Sequence, residues 1–185
     1  MSESSSMLAL GSPLPSIQLV NAVDGAMVDV GAVAAGKGGA LLMFMCNHCP
    51  FVVHVRRELV AAAHEAIDRG LAAFAINSND AETYPQDGPE AMAKLARAEG
   101  WRFPFLFDAS QDVARAMRAQ CTPDLYLYDG QGKLAYRGQF DDSRPSNGKP
   151  VTGKDLRAAV EAVAARRAPA ADQKPAVGCS IKWRR

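Results

Sequence analysis

The chain has 185 residues, a length that suits one domain with a core large enough to fold without disulfide staples. Its 21 basic and 20 acidic side chains give a formal net charge of +1, and no basic stripe interleaves with aromatic residues, so we expect no nucleic-acid partner. No apolar run is as long as a membrane span, and the N-terminus lacks a positive segment followed by an apolar core. We therefore expect a cytoplasmic protein without membrane contact. In the cytoplasm cysteines stay reduced, so those of this chain are free for chemistry.

The first half of the chain predicts a β-hairpin followed by a strand, a helix and a second strand. The segments with a strand pattern are residues 17–20, 27–30, 41–45 and 71–76. Asp24-Gly25 lies between the first two segments and is typical of a tight hairpin turn. Residues 51–69 lie between the last two and carry apolar side chains at helical spacing. Since such a unit makes a right-handed crossover, we expect its two strands to be parallel.

The second half predicts three helices, a short strand and a second hairpin. The helical segments are residues 92–100, 113–117 and 156–163, and the strand segments are residues 103–107, 125–128 and 133–137. Thr152, followed three residues later by Asp155, predicts a capping box at the last helix. The tail, residues 168–185, begins rich in Ala and Pro. We expect a single domain over residues 1–185, with its core at about residues 14–167 and this tail outside the core.

Cys46 and Cys49 form a Cys-x-x-Cys motif between an apolar strand segment and a helical segment. The thiolate is the reactive form of cysteine, and the unpaired N–H groups and positive dipole at a helix N-terminus favour it. The imidazolium of His48 would act in the same direction. We therefore predict Cys46 as the nucleophile with a lowered pKa. Cys49 lies about one helical turn further on and is predicted to resolve a mixed disulfide formed at Cys46.

Two other interpretations of this motif stay open. Cys-x-x-Cys also begins many zinc sites, but a zinc ribbon needs a second close pair, and Cys121 and Cys179 stand far apart in the sequence. Free cysteines are also often buried and inert. A module that binds zinc or a partner protein is thus the alternative from a different class. The main interpretation needs no metal and no other cofactor.

The order of elements, together with the motif, resembles the thioredoxin fold. More narrowly, the chain looks like the redoxin family that gathers thiol-disulfide oxidoreductases with alkyl hydroperoxide reductase and thiol-specific antioxidant (AhpC/TSA) proteins. The segments that carry the resemblance are Cys46 to Phe51, Thr122 to Asp124 and Tyr136 to Asp142. The ending Gly178 to Trp183 also looks like a subgroup of thioredoxin-like proteins. The resemblance implies an α/β fold, with a central mixed sheet flanked by helices and an N-terminal β-hairpin extension.

The resemblance also implies roles for residues outside the motif. Thr122-Pro123 should be a cis peptide that faces the dithiol and presents backbone groups to an extended substrate. His48, directly before the second cysteine, implies a stabilised thiolate and therefore a more oxidising couple. Two loops at the same edge of the sheet are candidate substrate walls, and we assign substrate binding to Phe140 and Asn79. Local turn and capping chemistry is the alternative interpretation of both loops.

The sequence departs from the pattern of both related groups. Thioredoxins usually have Trp just before the first cysteine and a buried acid six positions before it, where this chain has Met45 and Ala40. The usual proton acceptor is therefore missing or supplied elsewhere. Peroxiredoxins place Thr three residues and Pro seven residues before the peroxidatic cysteine, but counting back from Cys49 gives Cys46 and Leu42. A peroxiredoxin-like antioxidant, in which hydroperoxide oxidises one cysteine to a sulfenic acid, is the alternative enzyme.

Cys121 and Cys179 are auxiliary redox candidates. Cys121 lies two residues before Pro123, within reach of the site, and Cys179 lies on a tail that could return there. The pair could form a second disulfide or relay oxidation by exchange; a buried Cys121 with a disordered Cys179 is the alternative. The sequence as a whole predicts a thiol-disulfide oxidoreductase. Its expected partners are protein or small-molecule disulfides and thiols, with hydroperoxides as the alternative substrate.

Overall fold

The computed structural model describes residues 2–184. Within them lie ten β-strands, which are β1 Ser2–Ser4, β2 Gln18–Asn21, β3 Met27–Asp29, β4 Gly39–Phe44, β5 Ala72–Asn77, β6 Phe105–Phe107, β7 Cys121–Thr122, β8 Asp124–Asp129, β9 Leu134–Gly138 and β10 Val177–Ser180. Seven of the strands form a mixed sheet in the order β3-β2-β6-β5-β4-β8-β9. The other three form a small antiparallel sheet in the order β1-β10-β7, which joins both ends of the chain.

Helices cover both faces of the seven-stranded sheet. They are α1 Val30–Ala34, α2 Pro50–Asp68, α3 Pro89–Ala98, α4 Asp112–Ala116 and α5 Lys154–Ala164. The apolar faces of α2, α3 and α5 pack on one face of the sheet, and α4 packs on the other with the buried Ile181 of the tail. Of the helices within residues 2–184, none is both long and apolar enough to cross a membrane.

The central strand β4 has all six of its residues buried, as its continuous apolar run predicts. It pairs parallel with β5 on one side and antiparallel with β8 on the other, so the predicted parallel pair is confirmed. Both predicted hairpins are also present, as the antiparallel pairs β2/β3 and β8/β9. Because β4 ends at Phe44, the residues of the Cys-x-x-Cys motif lie at the edge where β4 and β5 both end.

The start of α5 differs from the predicted capping box. The N-cap residue is Gly153, in the left-handed region at φ 64°, and no side chain of its own caps the helix. Instead, the carboxylate of Asp141 accepts the backbone N–H groups of Thr152 and Gly153, both at 2.6 Å. The capping-box prediction was wrong because a carboxylate from the preceding loop binds N–H groups at this helix start.

Candidate active site

Cys46 and Cys49 occupy the connection between β4 and α2. Cys49 is the N-cap residue of α2, and Pro50 takes the first helical position, where its missing N–H costs no hydrogen bond. The helix N-terminus offers unpaired N–H groups and positive potential beside Cys49. Both cysteines are buried, with exposed fractions of 1% for Cys46 and 0% for Cys49, and both are free thiols. The dithiol is therefore shielded from water at the sheet edge.

The Thr122-Pro123 peptide is cis, as the resemblance implies, and lies against the dithiol. The sulfur of Cys46 is 3.5 Å from the hydroxyl oxygen of Thr122. The sulfur of Cys49 lies 3.2 Å from the carbonyl oxygen of Thr122, to which it donates a hydrogen bond when protonated. The structure thus brings Cys46, Cys49, Thr122 and Pro123 together, as the sequence predicted.

The two thiols of the motif have opposite pKa shifts. A hydrogen bond between the two cysteines, burial and the charge of Asp87 raise the pKa of Cys46. The same hydrogen bond from Cys46 lowers the pKa of Cys49 to about 5, and the Val52 backbone N–H acts in the same direction. The predicted low pKa of Cys46 is therefore corrected: it belongs to Cys49, which occupies the helix N-cap, whereas Cys46 lies beside a carboxylate.

Asp87 contacts the motif and was not singled out from the sequence. It ends a short 3₁₀ turn, Pro85–Asp87, and its side chain is fully buried. One carboxylate oxygen accepts the backbone N–H of Asn47 at 2.9 Å, and the other lies 2.6 Å from Nδ1 of His48. His48 also stacks on Tyr84, with ring centroids 5.8 Å apart and planes 7° from parallel. The imidazole, 31% exposed, is thereby held at the surface side of the dithiol.

Asn79 lies behind Asp87 and away from any substrate surface. Its amide nitrogen donates to the Asp87 carboxylate at 2.8 Å, and its oxygen accepts the backbone N–H of Lys182 at 2.9 Å. With both polar atoms engaged and only 3% of the residue exposed, Asn79 is not placed to form a substrate wall. Burial favours a different role, in which Asn79 positions Asp87. The polar residues after the apolar β5 signalled this edge, but nothing in the loop sequence distinguished Asp87 from other loop acids.

Three of these side chains could together hold a metal ion. Within residues 2–184, donor atoms of Cys46, His48 and Asp87 lie within 4.8 Å of one another. Cys49 is not a member of this group. The arrangement therefore differs from a zinc ribbon, in which both cysteines of a Cys-x-x-Cys motif would be ligands.

A shallow, mainly apolar pocket opens beside Pro123. Its walls include Phe51, His54, Phe140 and Val177. Phe140 is almost fully buried and packs into the core, so it presents only part of its ring to the pocket. His54 is held by Ser143, with 2.8 Å between the ring nitrogen Nε2 and the hydroxyl oxygen. The pocket thus lies beside the cis peptide and has mainly apolar walls.

The two additional cysteines lie in different surroundings. Cys121 in β7 is fully buried, with its sulfur 3.8 Å from the carbonyl oxygen of Pro123, and burial raises the pKa of its thiol. Cys179 is ordered in β10, directly opposite Thr122, and packs against the core cluster that contains Cys46 and Cys49. Burial, followed by its hydrogen bond with Cys49, raises the pKa of Cys179 to about 11. Cys179 is therefore the additional thiol that lies next to the dithiol.

Comparison with known proteins gives one family and several similar structures. The model of the AhpC/TSA family matches residues 10–137. An uncharacterized conserved protein from Geobacillus kaustophilus is 48% identical, with a TM-score of 0.96 over 100% of this chain and 97% of that chain. A hypothetical protein from Sinorhizobium meliloti is 44% identical, with a TM-score of 0.94 over 98% of each chain. No curated protein matches.

More distant solved structures bear on the fold alone. A thiol:disulfide interchange protein of the thioredoxin family from Chlorobium tepidum is 18% identical, with a TM-score of 0.63 over 85% of this chain and 99% of that chain. The thioredoxin domain of a thiol-disulfide oxidoreductase from Bacteroides vulgatus is 19% identical, with a TM-score of 0.57 over 70% and 88%. These similarities confirm the predicted fold, a thioredoxin-like mixed sheet flanked by helices.

Proposed function

Because the chain belongs to the AhpC/TSA family, we propose that it is a thiol-disulfide oxidoreductase in which Cys46 and Cys49 alternate between dithiol and disulfide. The observation that carries this proposal is the contact of both sulfurs with Thr122, at 3.5 Å and 3.2 Å, at the start of α2. Disulfide exchange requires two thiols within reach of each other and of the substrate, which the loop containing Thr122 and Pro123 would position.

The first step is attack by Cys46 on a substrate disulfide. Cys46 must first lose its proton, and the imidazole of His48 lies within 4.8 Å of its sulfur to accept it. Asp87 fixes the orientation of the imidazole and is the charge partner of its protonated form. The new bond joins Cys46 to one substrate sulfur, and the other substrate sulfur leaves as a thiolate.

The second step is attack by Cys49 on the sulfur of Cys46. The start of α2 and the backbone N–H of Val52 favour the thiolate of Cys49 in this step, in which Cys46 is bonded to the substrate and no longer donates a hydrogen bond. The Cys46–Cys49 disulfide forms, and the substrate is released as its second thiolate. The protein is thereby oxidised by two electrons and the substrate reduced by two. Each step is reversible, so the same residues would also oxidise a dithiol substrate.

The pocket beside Pro123 is the proposed contact surface for the substrate. Phe51 and Phe140 give it apolar walls, which suit an apolar side chain next to the disulfide of a protein segment. Pro123 and Thr122 present the adjacent backbone. Asn79 takes the role of a positioning residue for Asp87.

Reduction of insulin disulfides by dithiothreitol, with and without the protein, tests the proposal. Cys46→Ser should lower the catalysed rate at least about 100-fold because the attacking sulfur is lost. Cys121→Ser is the matched control: it also removes a buried thiol, but one that lies outside the dithiol, and should keep the rate within about twofold. Full activity in the Cys46→Ser variant would refute the assignment of the nucleophile.

A thiol peroxidase is the second candidate, favoured by the low pKa of Cys49 and by the hydroperoxide reductases in the family's name. Hydroperoxide consumption, measured with the same variants, distinguishes the two candidate activities. Faster turnover of hydroperoxide than of insulin would favour the peroxidase. Stoichiometric zinc in untagged protein, bound by Cys46, would contradict both redox proposals and support a metal-binding module.

A further inference from the structure

The C-terminal strand β10 lies directly against the loop that contacts the dithiol. Cys179 is paired with Thr122 in the antiparallel register. The carbonyl oxygen of Thr122 in turn lies 3.2 Å from the sulfur of Cys49. The approach is so close that a Cβ on Gly178 would lie 2.0 Å from the carbonyl oxygen of Thr122. A residue with a side chain could not occupy this position without moving the strand, so the glycine permits the contact.

This register directs the Cys179 side chain toward the dithiol. Paired residues of neighbouring strands project to the same face of a sheet, and the hydroxyl of Thr122 faces Cys46 at 3.5 Å. Cys179 packs against the core cluster that contains Cys46 and Cys49, and its side chain contributes to the lowered pKa of Cys49. Cys121, one residue before Thr122, projects to the opposite face and contacts Pro123 instead.

We propose that Cys179 is a third redox cysteine, which takes over the disulfide from Cys46 by forming a Cys49–Cys179 bond. This inference rests on the proposed function, which supplies the Cys46–Cys49 disulfide. The thiolate of Cys179 attacks the sulfur of Cys49, the Cys49–Cys179 bond forms and the Cys46–Cys49 bond breaks. Cys46 leaves as a thiolate and takes up the proton that Cys179 lost, so no net electrons are exchanged.

Oxidation of the dithiol itself prepares Cys179 for this attack. In the reduced protein burial is the main cause that raises the pKa of Cys179, and the hydrogen bond and charge of Cys49 add to it. A Cys46–Cys49 disulfide carries no thiolate, so the contribution of Cys49 disappears and the pKa of Cys179 falls. Cys179 is therefore more reactive when a disulfide is present for it to attack.

The exchange has two consequences for the site. It restores a free Cys46 beside His48 while the protein still holds two oxidising equivalents. It also ties the C-terminal strand covalently to the start of α2, across the loop that contains Pro123. The oxidised protein would thus exist in two forms that differ in whether Cys46 is available.

Peptide mapping under non-reducing conditions tests the proposal in the full-length protein oxidised with glutathione disulfide. Cys46 and Cys49 lie on one tryptic peptide, residues 38–56, so their own bond is internal to it. A bond to Cys179 instead links this peptide to the one that contains Cys179. We expect both products in the wild type. In the Cys46→Ser variant, where Cys49 is the remaining cysteine of the peptide, the linked product should become the main oxidised form.

The possible outcomes are distinct. Two results together would support Cys179 as the partner of Cys49. The amount of linked peptide should stay within about twofold of the wild type in Cys121→Ser, and it should fall at least about tenfold in Gly178→Ala. An internal bond in peptide 38–56 without any linked product in the wild type would overturn the inference and leave the proposed function intact. A protein that forms neither bond and does not reduce insulin would refute the proposed function.

Discussion

Asp87 is the buried charge around which the surface side of the site is arranged. Its two carboxylate oxygens contact the backbone of Asn47, the ring of His48 and the amide of Asn79. The same charge raises the pKa of Cys46, the predicted nucleophile. Asp87 therefore has two opposite effects: it holds the base in place, and it disfavours the thiolate that the base must produce.

Replacing Asp87 by Asn should separate these effects. The amide keeps a hydrogen-bond acceptor for Asn47 but removes the negative charge, so the pKa of Cys46 should fall toward its ordinary value. The pH dependence of Cys46 alkylation, followed by mass spectrometry of peptide 38–56, measures this. Asp80→Asn is the matched control, because Asp80 is held by Thr83 and does not contact the dithiol. An unchanged or higher pKa for Cys46 in Asp87→Asn would contradict the assignment.

Asp124 is a second buried acid, one residue after Pro123. Burial raises its pKa to about 7, and the hydroxyl of Tyr126, which donates to it at 3.0 Å, opposes the shift. Because the pKa is raised in the folded state, the stability that it contributes is present below the unfolded value of 3.8 and is lost as the pH rises through about 7.

Asp124→Asn should remove this pH dependence. Asn cannot ionise, so the reduced variant should be more stable than the wild type at pH 8, by a free energy of unfolding on the order of 4 kcal/mol. Urea denaturation at several pH values between 4 and 8 measures the difference. Wild-type stability that stays constant or rises between pH 4 and 7, relative to the variant, would show that Asp124 titrates normally.

At the scale of elements, the start of α5 shows which carboxylate stabilises the helix. Asp141 accepts backbone N–H groups from Ser143, Thr152 and Gly153. Asp141→Ala should therefore cost about 2–3 kcal/mol in urea denaturation, since three buried or part-buried donors lose their partner. Thr152→Ala should cost less than about 0.5 kcal/mol, because the hydroxyl makes two long bonds, one donated to Asp141 at 3.5 Å and one accepted from Lys154 at 3.4 Å. A larger loss of stability in Thr152→Ala than in Asp141→Ala would instead support the predicted capping box.

Elements with a long periodic or continuous apolar pattern were predictable from the sequence. The central strand β4, the helix α2 and the parallel strand β5 follow directly from such patterns, and they place the Cys-x-x-Cys motif at the sheet edge. The strands β1, β7 and β10 are two to four residues long and, unlike the equally short β2, β3 and β6, belong to no apolar run and no hairpin turn pattern. Their pairing depends on the distant contact between the two ends of the chain. The position of Cys179 followed only from that pairing.

At the scale of the whole molecule, both chain ends are joined at the active-site edge. Strand β10 lies between β1 and β7, and Ile181 beyond it is buried against the core. The backbone of Lys182 also bonds to Asp80 and Asn79, which connects the tail to the residues that hold Asp87. The tail is therefore part of the wall around the dithiol.

Removal of residues 173–185 should open this wall. We expect the rate of Cys49 alkylation at neutral pH to rise at least about tenfold, because the strand that shields Cys49 is gone while its thiolate remains favoured by the helix N-terminus. The Cys179→Ser variant is the control that removes the thiol but keeps the strand. Equal alkylation rates in the truncated protein and in this control would show that the tail does not cover the site.

A redox titration of the protein, followed on peptide 38–56, measures the proposed reversible Cys46–Cys49 couple. The fraction of the peptide with an internal disulfide is measured against glutathione or dithiothreitol buffers between pH 6 and 8. We predict a potential less negative than the thioredoxin value of about −270 mV, since the Cys49 thiolate stabilises the reduced form. The slope should be about 30 mV per pH unit, because reduction takes up two electrons and one proton. No transition, or a slope twice as steep, would contradict this.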